Sequence, residues 1–167
     1  FKLASSHYCS FISKKTKLNL INIRPFHIYG EFEDSSRLIP TLINNMTQKK
    51  KIYLVDPDIK RDCLYINDCV DAYLKLAQSK HALGELYNLG SGKQKSIKDI
   101  FNTVSKQLNY KIKPQWSSME NRTWDQKNWV SSISKIKKNI NWSPKTDLNS
   151  GIKNTIKWHK EFYKSND

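Results

Sequence analysis

The chain has 167 residues, of which 38% are hydrophobic and 26% charged, and its formal net charge is +14. This length suffices for one ordinary domain, and the apolar share lies above the range of disordered chains. No apolar run approaches the length of a membrane span, and three cysteines without metal-ligand spacing favour neither a metal site nor a disulfide framework. A reducing cytoplasm is therefore the expected compartment.

The positive charge comes mostly from lysine, because only four of the 29 basic residues are arginine. The lysines are spread along the chain beside abundant Asn and Ile, a pattern more typical of an AT-rich genome than of a nucleic-acid-binding surface. The arginines (Arg24, Arg37, Arg61 and Arg122) lie in or next to the motifs described below. A guanidinium group binds phosphate through a rigid fork that an ammonium group cannot copy, so these positions are candidate phosphate ligands.

Hydrophobic periodicity predicts alternating helices and strands in the first half of the chain. The predicted elements are a helix over residues 3–16, a strand over 18–23, a polar loop over 30–36, a helix over 38–46, and strands over 52–55 and 63–66. A further helix follows a cap at Asn67 or Asp68 and ends near residue 78. Its predicted buried stripe consists of Val70, Tyr73, Leu74 and Ala77.

The second half continues the alternation. A strand over residues 85–89 ends at Gly90-Ser91-Gly92, which is predicted to be a plain turn because it lacks the spacing of a phosphate loop. Ser96 and Asp99 have the spacing of a capping box at the start of a helix that ends near residue 108. An edge strand over 111–115, a loop over 117–128 and helices over 132–140 and 147–163 complete the chain. This alternation predicts an α/β fold.

Five short motifs stand in a fixed order, at residues 24–30, 61–68, 87–92, 121–125 and 141–144. Each is weak alone, but the ordered set resembles the C-terminal half of the extended short-chain dehydrogenase/reductases, the NAD-dependent sugar-nucleotide epimerases and dehydratases. The resemblance implies the C-terminal part of a Rossmann-like fold with a small mixed α/β substrate domain. Residues 1–30 would end the NAD-binding domain, and residues 31–167 would bind the sugar nucleotide, with a chain that recrosses between the two domains.

Lys2 matches the lysine of the family's Tyr-x-x-x-Lys motif, whose tyrosine would precede Phe1. In the family this lysine hydrogen-bonds the nicotinamide ribose and lowers the pKa of the tyrosine, so Lys2 is the predicted catalytic and cofactor-binding residue. A frayed terminal lysine is the alternative. Pro25 and Phe26 follow the strand that faces the nicotinamide in the family, and they are also predicted to bind NAD, with NADP as the alternative cofactor.

His27 stands where the family usually has an asparagine that contacts sugar or phosphate. An imidazole donates one hydrogen bond but does not reproduce the paired donor and acceptor of an amide. We therefore predict a changed sugar contact at His27, with an ordinary turn histidine as the alternative.

Arg61 matches the arginine that grips the nucleotide diphosphate in the family, and Arg122 has the Arg-x-x-Asp spacing of a second phosphate ligand. A surface ion pair with Asp62 or Asp58 is the alternative for Arg61, and such a pair would contribute little to stability. Tyr53 stands where related enzymes place a side chain against the nucleotide base, although a half-buried strand tyrosine would look the same. No metal ligand is predicted.

The resemblance implies a nucleoside-diphosphate-sugar epimerase or dehydratase that is cytoplasmic and homodimeric when complete. It also predicts that this chain alone is inactive, because the glycine-rich NAD loop and the catalytic tyrosine are not among its residues. A basic nucleic-acid-binding module without catalysis and a non-functional truncated fragment are the alternative functions.

Overall fold

The computed structural model describes residues 1–16, 18–80, 84–119 and 127–164. Helices and strands are mixed along the chain, so the predicted α/β class is confirmed. The elements are α1 (Lys2–Thr16), β1 (Asn22–Pro25), β2 (His27–Tyr29), α2 (Leu38–Thr47), β3 (Lys60–Tyr65), α3 (Ile66–Gln78), β4 (Leu86–Leu89), β5 (Gln94–Ser96), α4 (Ile97–Leu108), α5 (Ser134–Ile140) and α6 (Leu148–Lys164).

The strands form two small sheets. Strand β1 of the first sheet ends at Pro25 and β2 of the second begins at His27, so only Phe26 lies between them. In the first sheet β1 pairs with β4 in parallel, with Asn22 opposite Leu86 and Pro25 opposite Leu89. In the second sheet β3 lies in the middle, parallel to β2 and antiparallel to β5. The carboxyl ends of β1 and β4 therefore meet at one edge, as do those of β2 and β3.

Two apolar cores hold the helices against these sheets. Helices α2, α4 and α6 pack together over β2 and β3, with fully buried side chains that include Ile39, Leu42, Ile100 and Ile152. The second core joins α3 and α5 to the sheet of β1 and β4. It includes Ala72, Leu76, Tyr87, Leu89 and Trp142, each with no exposed surface.

Helix α3 has the predicted length but turns a different stripe toward the core. Tyr73 and Leu74 of the predicted stripe are 45% and 59% exposed, whereas Cys69, Ala72 and Leu76 are buried. That part of the prediction is wrong. The helix has apolar residues on both stripes, and only the position of the sheet decides which one is covered.

The start of α3 also differs from the predicted cap. The helix begins at Ile66, with Tyr65 at the N-cap and no side-chain cap bond. Asp68 is buried in the first turn and accepts hydrogen bonds from the backbone N–H groups of Lys145 and Thr146, at 3.1 and 2.9 Å. Its carboxylate therefore joins α3 to the segment before α6, which is a long-range contact rather than a local cap.

The strand predicted over residues 18–23 lies later in the chain, at Asn22–Pro25. The strands predicted over residues 52–55 and 111–115 reduce to one parallel bridge between Tyr53 and Gln115. Ile52 and Leu54 are buried on either side of that bridge, so the apolar alternation is real but the ladder is too short to form a strand. Among the described residues, no helix is both long and apolar enough to cross a membrane.

Candidate functional site

Strand pairing brings two predicted site residues to one face of the second sheet. His27 of β2 lies directly opposite Cys63 of β3. Side chains alternate along a strand, so Arg61, two residues before Cys63, shares that face with His27. The sugar candidate and the phosphate candidate, separated by 34 positions in the sequence, thus lie on neighbouring strands.

The pKa of His27 is affected by the charges of two arginines. Burial lowers the pKa of His27 to about 4, and the charges of Arg37 and Arg61 act in the same direction. Arg37 immediately precedes α2, whereas Arg61 lies on β3. Because a guanidinium group disfavours a second positive charge nearby, His27 is neutral at physiological pH in a positive environment.

Two further features add positive charge near Arg61. Lys95 of β5 lies directly opposite Arg61 in the antiparallel pair, and like charges in that position repel. The Nη1 atom of Arg61 donates to the backbone oxygen of Lys60 at 2.9 Å. The N-terminus of α2 has no side-chain cap, so the N–H groups of Leu38 and Ile39, ahead of Pro40, are not bonded by a cap side chain.

Asp62, next to Arg61, points to the opposite face and has a structural role. Its carboxylate is fully buried and accepts five hydrogen bonds from described residues, all from Ser91, Gly92 and Ser131. Their lengths lie between 2.6 and 3.2 Å. Asp62 is therefore committed to backbone and serine donors, and it ties β3 to the turn after β4 and to the segment before α5.

The turn at Gly90-Ser91-Gly92 serves this network. A Cβ atom on Gly90 would lie 2.9 Å from the Oδ2 atom of Asp62 and would also collide with the side chain of Ser131. The predicted plain turn is present, but it joins β4 to β5 rather than leading directly into a helix. Its glycine is required by close packing around a carboxylate, which differs from the role of glycine in a phosphate loop.

Of the remaining predicted site residues, Tyr53, Pro25 and Phe26 are described, whereas Arg122 and the side chain of Lys2 are not. Tyr53 is 51% exposed, so its side chain is accessible to a ligand. Pro25 ends β1, and the ring of Phe26 meets Trp129 edge to face at 6.2 Å between centroids. Lys2 is the first residue of α1, and its side chain lies outside what the structure describes, as does Arg122.

Known proteins share both the sequence pattern and the fold of this chain. The model of the NAD dependent epimerase/dehydratase family matches residues 1–90, more than half of the chain. The chain belongs to this family. The family is NAD dependent, and the resemblance read from the ordered motifs is confirmed.

Two curated relatives match most of this chain. The CDP-abequose synthase of Salmonella muenchen is 25% identical over 147 residues, which cover 87% of this chain and 50% of the relative. The human dTDP-D-glucose 4,6-dehydratase is 25% identical over 174 residues, covering 96% of this chain and 47% of the relative. The chain thus spans about half the length of these curated relatives.

Solved structures show the same fold. The UDP-glucose 4-epimerase of Thermotoga maritima, solved with UDP-glucose, superposes with a TM-score of 0.89 at 22% identity, over 96% of this chain and 52% of that one. The UDP-glucuronic acid 4-epimerase of Bacillus cereus, solved with UDP-glucuronic acid and NAD, gives a TM-score of 0.86 at 24% identity, over 96% and 51%.

Within this epimerase/dehydratase chain, Lys95 and Glu33 of the candidate site were not singled out from the sequence, whereas Arg37 was one of the four arginines named there. Arg37 lies just before α2, Lys95 lies on β5, and Glu33 lies in the loop after β2. The rarity of arginine was a usable signal for Arg37, because only four occur in the chain. Nothing local distinguishes Lys95 among the many lysines, or Glu33 within an acidic loop.

Proposed function

We propose that this chain forms the nucleoside-diphosphate-sugar-binding part of an NAD-dependent epimerase or dehydratase. One observation carries the proposal: His27 and Arg61 share a face of neighbouring strands, and Arg61 and Arg37, from different elements, both lower the pKa of His27. This arrangement suits a ligand with a diphosphate next to an uncharged sugar. The division into the end of an NAD-binding domain at residues 1–30 and a substrate region at 31–167 is part of the proposal.

The diphosphate would lie near Arg61, Arg37 and the start of α2. A fork of guanidinium donors binds two phosphate oxygens at once, and the uncapped N–H groups of α2 add partial positive charge. An anion would also relieve the repulsion between Arg61 and Lys95, which lie opposite each other on the paired strands β3 and β5. Arg122, which matches a second phosphate ligand of the family by its motif, is proposed as a second fork, and the exposed ring of Tyr53 as the base-stacking surface.

The cofactor would meet the carboxyl end of β1, where ligands bind in open parallel sheets. Pro25 is exposed there, and Phe26 and Trp129 provide an aromatic pair that fits a flat ring such as nicotinamide. When bound, NAD would accept hydride from the sugar. Within this chain, Phe26 would position the ring, Lys2 would bind the ribose and keep a neighbouring tyrosine acidic, and His27 would orient the sugar by a hydrogen bond.

Two observations support the remaining parts of the proposal. Helix α1 exposes Leu3, Tyr8 and Phe11, with 62%, 65% and 54% of their surfaces accessible, which supports a homodimer formed through this helix in the complete protein. Cys9, Cys63 and Cys69 are all free thiols, which supports a reducing cytoplasm.

The experiment measures the dissociation constants of the complete protein for UDP, dTDP and their glucose conjugates. Replacing Arg61 or Arg122 by Lys keeps the charge but removes the fork, so we expect binding of the free diphosphate to weaken by about 1–3 kcal/mol. His27→Asn should change the affinity for the sugar conjugate and leave that for the free diphosphate nearly unchanged. Lys160→Arg, the reverse exchange at an exposed position of α6, is the control and should bind normally. Normal diphosphate binding by the Arg61 variant would contradict the phosphate contact and would assign Arg61 a structural role instead.

The inactivity of residues 1–167 by themselves stays a prediction. These residues contain no glycine-rich dinucleotide loop of the Gly-x-x-Gly-x-x-Gly type. We therefore expect the 167-residue polypeptide to show no turnover and no appreciable heat of NAD binding in calorimetry. Tight NAD binding by that polypeptide would contradict the prediction.

A further inference from the structure

Two polar side chains beside the candidate site are buried and face each other without a hydrogen bond. The Nε2 atom of His27 lies 3.7 Å from the Oε1 atom of Glu33, and the two side chains are only 14% and 8% exposed. Neither Nε2 nor either carboxylate oxygen of Glu33 has a hydrogen-bond partner among the described residues. Buried polar atoms are usually paired, so this His27–Glu33 pair is an exception that calls for a physical reason.

The loop after β2 holds Glu33 in this position. Gly30 turns the chain with a φ of +140°, and Phe32 adopts a left-handed φ of 61°. Phe32 is directed outward, with its ring 4.9 Å from that of Trp158 on α6. The residues on either side point inward: Glu31 accepts a hydrogen bond from the hydroxyl of Tyr65 at 2.5 Å, and Glu33 approaches His27.

The groups around the pair keep His27 uncharged and let Glu33 titrate. Burial lowers the pKa of His27 to about 4, assisted by Arg37 and Arg61. Burial raises the pKa of Glu33 to about 7, with Arg37 opposing the rise and Asp34 adding to it. Across the strand pair, burial raises the pKa of Cys63 to about 12, so this residue stays a neutral thiol.

A neutral imidazole carries one N–H, and its partner decides which nitrogen bears it. Ionised Glu33 would accept a hydrogen bond from Nε2–H, which leaves Nδ1 as an acceptor. Protonated Glu33 would donate to Nε2, which leaves Nδ1–H as a donor. Because Nε2 is buried, the exposed surface of the ring belongs to its other atoms.

We propose that Glu33 is a positioning residue that sets the tautomer of His27 and thereby decides whether His27 accepts or donates a hydrogen bond at the sugar. This inference rests on the proposed function, because that function places the sugar at His27. It adds a residue from the acidic loop to the determinants of sugar specificity.

The first test is ¹⁵N NMR of the complete protein, labelled at histidine, between pH 5.5 and 8.5. His27→Asn identifies the His27 signals among those of the four histidines. We expect the proton to reside on Nδ1 below about pH 7 and on Nε2 above it, and we expect Glu33→Gln to abolish this change. Glu161→Gln makes the same substitution at an exposed site on α6 and should leave the change intact. A tautomer that is constant with pH, or that changes equally in Glu33→Gln, would overturn the proposal.

The second test measures the affinity for UDP-glucose and dTDP-glucose relative to UDP and dTDP across the same pH range. Exchange of a donor for an acceptor should change this ratio by roughly 2- to 10-fold, as expected for one net hydrogen bond. In Glu33→Gln the ratio should not depend on pH. A tautomer change with a pH-independent ratio would overturn the sugar contact at His27, and loss of all diphosphate binding in Arg61→Lys would be a separate result that concerns the phosphates alone.

Discussion

Two buried carboxylates near Cys63 have opposite surroundings. Asp62 accepts five hydrogen bonds from described groups, whereas both oxygens of Glu33 are buried without one. Each contributes to the raised pKa of Cys63, so both lie close to the same point of β3. Donors around Asp62 replace the water that a carboxylate loses on burial, and Glu33 has no such compensation.

This difference separates structural from functional burial. The donors to Asp62 come from Ser91, Gly92 and Ser131, which are distant in sequence, so its carboxylate holds three segments together. Glu33 accepts no hydrogen bond from a described residue, and only the charge of Arg37 offsets the free-energy cost of burying it. Polar groups kept in that state are found where a ligand or a proton transfer uses them. The following predictions test whether the two carboxylates differ as strongly as their surroundings indicate.

The largest effect is expected for Asp62→Asn. The amide would direct its NH₂ group at N–H and O–H donors and would leave several of them unpaired in a buried site. We expect the free energy of unfolding, measured with urea at pH 7, to fall by about 3 kcal/mol or more. Asp58→Asn, an exposed position near the start of β3, should change it by less than about 0.5 kcal/mol. Similar losses for both variants would contradict the structural role of Asp62.

An intermediate effect with a distinctive pH dependence is expected for Glu33→Gln. The pKa of Glu33 rises on folding from 4.5 to about 7, so the folded state holds the proton more tightly. Stability contributed by this group therefore falls as the pH rises from about 4.5 to above 7. Relative to wild type, Glu33→Gln should gain about 2–3 kcal/mol between pH 5 and pH 8, as followed by urea unfolding at each pH.

His27→Asn should show the opposite slope. The pKa of His27 falls on folding from 6.5 to about 4, so the unfolded state binds the proton more tightly in that range. Wild-type stability is then lost as the pH falls through 6.5 toward 4, and the variant should be spared about 2–3 kcal/mol of this loss. Unfolding curves for the Glu33 and His27 variants that run parallel to wild type at every pH would show that neither group titrates abnormally.

The smallest effect is expected at Phe32, which anchors the loop that carries Glu33. Its ring contacts Trp158 and Phe162, at 4.9 and 5.6 Å between centroids. Phe32→Ala loses these contacts but keeps a Cβ atom at positive φ, so we expect a loss of about 1 kcal/mol in thermal or urea unfolding. Phe32→Gly loses the same contacts and relieves the backbone, so it should be no less stable than Phe32→Ala. A markedly less stable glycine variant would contradict the left-handed backbone conformation at Phe32.

Features that depend on neighbouring residues were predictable. The capping box of Ser96 and Asp99 forms as expected, with both reciprocal hydrogen bonds at 3.0 Å. The helix over 38–46 forms as α2, because its apolar spacing and early proline are local properties. The buried stripe of α3 was predicted wrongly, since both of its stripes are apolar and the choice between them belongs to the sheet.

For the site, the sequence by itself determined the family and the candidates His27 and Arg61, because short ordered motifs carry that information. Only the tertiary structure decided that these two share a sheet face with Arg37 nearby, that Asp62 ties β3 to two distant segments, and that Glu33 faces His27. Strand register and burial depend on contacts between residues far apart in the chain. The spacing of neighbouring residues does not encode where such side chains meet or which of them lose water.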